Sequence, residues 1–298
     1  MSMTRDMTSG LTPELTKVRD QIRKYAVDYG LDCFDVIFEM VDHEQINSLA
    51  ALGGFPVRYP HWRFGMDYDQ LSKGYTWGLQ KIYEMVINTN PAYSYLMKSN
   101  NMVDQKTVIA HVYGHVDFFK NNYWFSKTNR KMLDAMANHA VKIRNYMDRY
   151  GQDRVETFID FCLAIENLID PYAPFSNVTR KITQTEDANH EAVAAEPGRI
   201  KINRQYMDHY MNPPEFLEEQ KKKLEQDLRK SKKNPPVPQK DILAFLIDNA
   251  PLEAWETEVL SIIRDEAYYF APQGQTKIMN EGWASYWHSK IMTEKAYN

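Results

Sequence analysis

The chain has 298 residues, 43% of them hydrophobic and 13% aromatic, enough to bury a sizeable core in one large domain or two ordinary ones. With 36 Lys and Arg against 40 Asp and Glu, its formal net charge is −4, without the basic excess of a nucleic-acid binder. No stretch approaches the roughly 18 consecutive apolar residues of a membrane span, and no signal-peptide core opens the chain, so a cytoplasmic protein is expected.

Residues 1–12 read as a flexible tail, and 13–298 as one mainly α domain. Thr12-Pro13-Glu14 is a cap followed by proline at the first helical position, and the helix runs to Tyr29 before Gly30. A second helix is expected from Asp32 to Gly53-Gly54. It contains Cys33, which, like Cys162, sits in an apolar run and reads as a buried thiol. Phe55 to Gly65 is an aromatic loop with two prolines, too apolar to be solvated. It reads first as a connector packed on the helices; Arg58, His61 and Arg63 make a cleft that holds an anion the alternative. Helices are then predicted over about 67–88, 103–120, 127–150 and 152–168. A small hairpin is the most β structure expected, somewhere in 177–205. A charged variable insert covers about 177–240, with Pro213-Pro214 and Pro235-Pro236-Val237-Pro238 flanking a solvated helix or flexible segment. Two more helices are expected, over 252–269 and 276–296.

The strongest chemical signal is Val108 to Phe119, in which His111 and His115 stand four residues apart. On a helix both imidazoles share one face, with Cβ atoms about 5–6 Å apart, which suits chelation of one ion. Two hydrogen-bonded core histidines are the competing reading. The segment Asn280-Glu281-Gly282-Trp283-Ala284 resembles the Asn-Glu-Gly-Phe-Ala segment of gluzincin aminopeptidases. That resemblance implies Glu281 as a third ligand of a divalent metal, zinc first, beside His111 and His115. It breaks down at Val112, which occupies the position where those enzymes place a general-base glutamate after the first histidine.

A substitute base is therefore sought among carboxylates in apolar runs, which are costly to bury without a partner. Glu39 and Glu266 are the catalytic candidates, and Glu166 is a third. Arg58, Arg63, Tyr268, Tyr269 and His288 are candidates for substrate contact; His288 lies seven residues after Glu281, on the same helix face. The same residues allow a two-metal carboxylate site built from Glu39, Glu166, Glu266, Glu281, His111 and His115. No Gly-rich phosphate loop or GxSxG elbow is present.

Several long motifs resemble the bacterial SpoVR family (stage V sporulation protein R). They are VIFEMVDHEQIN, LGGFPVRYPHWRFGMDYDQLSKGY, LQKIYEMVIN, VIAHVYGHVDFFKNNYWFSKTNR, ENLIDPY and VLSIIRDEAYYFAPQGQTKIMNEGWASYWHSKIMTEK. The resemblance implies a role in spore formation at the cortex stage, with relatives found beside a PrkA-type serine kinase. It implies no settled reaction. Two readings follow: a metal-dependent hydrolase of amide bonds in peptide or cell-wall material, or a non-catalytic scaffold with a structural or vestigial metal site. Val112 favours the second.

Overall fold

The computed structural model describes residues 10–79, 81–175, 210, 213–231 and 240–296. The expected hairpin in 177–205 and most of the expected tail lie outside them. Of that tail, Leu11 packs against the core and Thr12 caps the first helix, accepting from the Leu15 N–H. The fold is mainly α, and it holds a small sheet where none was expected.

Helix α1 (Pro13–Asp28) leads into strand β1 (Val36–Val41) and then α2 (His43–Ala51), which Asp42 starts with a capping box to Gln45. The first part of the helix expected from Asp32 to Gly54 is thus a loop and a strand. Val36–Val41 is a short apolar run, ambiguous between strand and buried helix, and β-branched residues with sheet pairing decide it. Helix α3 (Trp62–Thr76) begins inside the aromatic loop, with His61 accepting from the Arg63 N–H. Strand β2 (Glu84–Ile87) replaces the end of the helix expected over 67–88, and β3 (Ala92–Met97) follows where no element was predicted. The sheet order is β1-β3-β2, with β1 parallel and β2 antiparallel to β3.

Helix α4 (Met102–Asn121) is the central element; it is buried along most of its circumference and capped by Asn101. Helices α5 (Met132–Tyr150) and α6 (Gln152–Ala164) follow, separated by Gly151 at φ 92°, a left-handed conformation that glycine adopts without strain. Helix α7 (Pro214–Ser231) realises the helical form of the charged insert. Helix α8 (Ile242–Asn249) precedes α9 (Ala254–Ile291), one continuous helix of 38 residues where two were expected. Proline removes a helical N–H and crowds the preceding turn, yet Pro272 lies inside α9. Both halves of α9 are anchored by different cores, and that packing outweighs the local cost.

Three apolar clusters hold these elements. The first joins α1, α4, the end of α9 and one face of the sheet through Phe38, Ala92, Leu96 and Val112. The second joins α5, α6, α8 and the first half of α9 around Trp255. The third covers the other sheet face, with Val41, Ile87, Tyr95 and Met97 against Ile46, Phe55, Met136 and Tyr269. No helix among the described residues is long and apolar enough to cross a membrane.

Candidate metal centre

The first cluster brings the two histidine-bearing elements together. Helices α4 and α9 run antiparallel, and their pairing is the most extensive among the helices. Gly114 makes this possible: a Cβ on it would stand 2.7 Å from the Ala284 Cα. Trp283 Nε1 donates to Asp117 at 2.9 Å and fixes the register of one helix along the other. In that register His115 lies opposite Asn280, and His111 lies opposite His288.

The donors converge at the crossing. Glu281 Oε2 is 3.6 Å from His111 Nε2 and 3.7 Å from His115 Nε2. Glu84 Oε1, arriving from β2, is 3.8 Å from His111 Nε2. Glu84, His111 and His115 each offer a ligand atom within 4.8 Å of the others, and so form a group able to hold a metal ion. These separations are too long for hydrogen bonds. They match donors arranged around a shared ion: two donors each ~2.1 Å from one tetrahedral zinc stand about 3.4 Å apart.

The electrostatics favour neutral, ligating imidazoles. Burial, then His115 and His288, pull His111 down to about 3. Burial also lowers His115, against opposing effects of Asn280 and Glu281, and it lowers His288. His115 Nδ1 is 2.9 Å from Asn280 Oδ1, an acceptor, so that nitrogen carries the proton and Nε2 keeps its lone pair. His111 Nδ1 and His288 Nδ1 are also 2.9 Å apart, so His288 orients the ring of His111. Burial, then the charge of Glu281, pushes Glu84 up to about 7.

The structure thus places His111, His115, Glu281 and His288 together and adds Glu84. Glu39 and Glu266 do not join them. Strand alternation puts Glu39 on the far sheet face beside Tyr95, which burial and then Glu39 push up to about 12. Glu84 pairs in register with Leu96, on the face that meets α4. Glu266 precedes Glu281 on α9 by fifteen residues, about 22 Å along the axis. It is paired there with Arg58 and His139.

The other substrate-contact candidates also have structural partners away from the centre. Arg63 faces Glu166 at 3.5 Å. Tyr268 donates to Asp241 at 2.6 Å and to the Asp170 carbonyl, and Tyr269 donates to the Asn88 carbonyl at 3.1 Å. Arg58 lies over the ring of Phe64. The residue missed by sequence reasoning, Glu84, carried one signal: a carboxylate inside the apolar run Tyr83 to Ile87, as conspicuous as Glu39 in its own.

Residues 11–298 match the family described as "SpoVR like protein". The chain belongs to the SpoVR family. A SpoVR-family relative, "Uncharacterized protein YcgB" of Escherichia coli (strain K12), is 36% identical over 282 residues, 91% of this chain and 52% of the relative. The chain therefore spans about half the length of the curated relative it matches. No solved structure matches.

Proposed function

We propose that this SpoVR-family chain is a metal-dependent hydrolase of amide bonds whose ion is held by His111, His115 and Glu281. The observation that carries the reading is the convergence of two imidazole Nε2 atoms and one carboxylate oxygen at 3.6 and 3.7 Å. Bound there, a divalent ion would lower the pKa of its water and polarise a carbonyl.

The chain's own groups do the rest. His111 and His115 stay neutral because burial penalises their charge. Asn280 and His288 hold the two rings in orientation. Glu84 takes the part that Val112 cannot play. It stands at the His111 edge of the centre, where a carboxylate can accept a proton from an ion-bound water and return it. The open side lies toward Glu281, whose side chain is 55% exposed, so an extended substrate has access. The likeness of Asn280 to Ala284 to an aminopeptidase segment supports an amide substrate. The family's tie to spore cortex formation directs attention to cell-wall peptides and to the cytoplasmic side, where their precursors are made.

The test is amide hydrolysis by the zinc-loaded chain on peptide and peptidoglycan-fragment substrates. Turnover is expected in the wild type and a loss of at least 100-fold in His111→Ala. One ion per chain with no turnover on any amide leaves the scaffold reading, which Val112, buried in the core, favours.

A further inference from the structure

A second site lies against the middle of α9. A cavity of about 500 Å³ opens between α5, α9 and the loop that follows α4. Its volume lies within the range of ~300–1,000 Å³ typical of small-molecule sites. Trp124 and Phe175, 5.3 Å apart and edge-on, form an aromatic wall facing Tyr268 and Pro272. His139 lies on the lining and Glu266 behind it.

The polar groups are arranged for one purpose. His139 Nδ1 is 3.3 Å from Glu266 Oε1, so the carboxylate fixes the proton on Nδ1 and leaves Nε2 as the acceptor. Glu266 is 4% exposed and its other oxygen is held by Arg58, which supplies the opposite charge. Arg58 is itself enclosed by Tyr59, Phe64 and Phe270. A structural role needs no open side to the imidazole, yet this one lines a cavity.

The charges around the cavity select the ligand. Arg264 is spent on Asp241 at 2.7 Å. That leaves Lys127 and Asp265, one of each sign, so the described part of the lining carries no net charge to attract an anion or a cation. We infer that this cavity binds an uncharged planar aromatic molecule that donates an O–H or N–H to His139 Nε2, with its ring against Trp124 and Phe175. The Arg58–Glu266 pair acts behind it as the positioning element. The site is independent of the metal centre, which lies about 20 Å away along α9.

The probe is phenol, which like an imidazole is neutral in buffer at about pH 8, with anisole as the isostere that cannot donate. Equilibrium dialysis against the full chain should give saturable one-to-one binding of the phenol below about 1 mM, and binding of the anisole weaker by about tenfold. This comparison uses the unaltered protein. His139→Phe, which keeps a ring and removes the acceptor, should bring the phenol to the level of the anisole. Ala135→Phe, which fills the cavity from its lining, should abolish both. Equal affinity for phenol and anisole, binding that survives Ala135→Phe, or no binding at millimolar probe overturns the inference.

Discussion

His111 is the residue on which most turns, because three kinds of neighbour meet at it: a second histidine, two carboxylates and His288. The histidine pair was legible because helical spacing of four is a property of sequence alone. Glu84 was not, because its segment was read as helix, and only strand alternation and pairing with β3 aim it at α4. Charge-neutral substitutions separate the two carboxylates. Glu281→Gln should weaken zinc binding at least tenfold, whereas Glu84→Gln should keep zinc within about threefold and lower kcat by 100-fold or more. Isothermal titration with zinc, followed by turnover on the best amide, reads both; a Glu84→Gln chain that loses its zinc reverses the two roles. Tyr268, nominated for substrate, belongs instead to a structural knot around Asp241. Burial pushes that carboxyl up, but hydrogen bonds from Arg264, Tyr268 and the Ala244 N–H outweigh it and hold it below the usual range. A lowered folded value stabilises above the unfolded value of about 3.9 and is lost as pH falls through the folded one. Asp241→Asn should therefore cost on the order of 1–3 kcal/mol near neutrality, and the gap from wild type should close on acidification below about pH 4. Denaturant melts across pH measure it, and a gap that stays constant with pH contradicts the assignment.

At the scale of elements, the α4–α9 crossing decides whether the centre exists. Gly114 stands between the two histidines and meets the Ala284 backbone, so an added methyl must push the helices apart. Gly114→Ala gains about 1 kcal/mol of helix propensity but loses more to overpacking, roughly 1–3 kcal/mol. Zinc affinity should drop at least tenfold, because the shift separates His111 and His115 from Glu281. Gly274→Ala, also on α9 but with nothing within 4 Å of its Cβ, should leave zinc binding unchanged. If both variants bind zinc like wild type, the crossing does not set the site. The same scale shows where sequence reading stops. Helices α1 and α4 were plain from caps and periodicity, to within a residue or two. The sheet was hidden because β1 and β2 are short apolar runs that periodicity cannot tell from buried helix, and their identity comes from pairing with β3. Two helices were expected over 252–269 and 276–296, and packing on both sides of Pro272 joins them into α9.

For the whole molecule, the candidate centre ties β2, α4 and α9, elements that meet in one core yet come from distant parts of the chain. A ligand that binds only the folded state stabilises by RT ln(1 + [L]/Kd), about 4 kcal/mol at a thousandfold excess over Kd. Chelation should then lower the thermal midpoint by several degrees in wild type and leave His111→Ala unmoved. The fold itself needs no ion to explain its three apolar clusters, so the apo chain should remain helical by circular dichroism. The central claim is that one ion sits at the α4–α9 crossing, and elemental analysis of the full chain, purified without a metal-affinity column and dialysed after zinc loading, tests it most directly. The account predicts about one divalent ion per chain in wild type and almost none in His111→Ala or Glu281→Ala of unchanged helicity. A wild-type chain that retains no ion after loading, or His111→Ala and Glu281→Ala chains that retain as much as wild type, would contradict it.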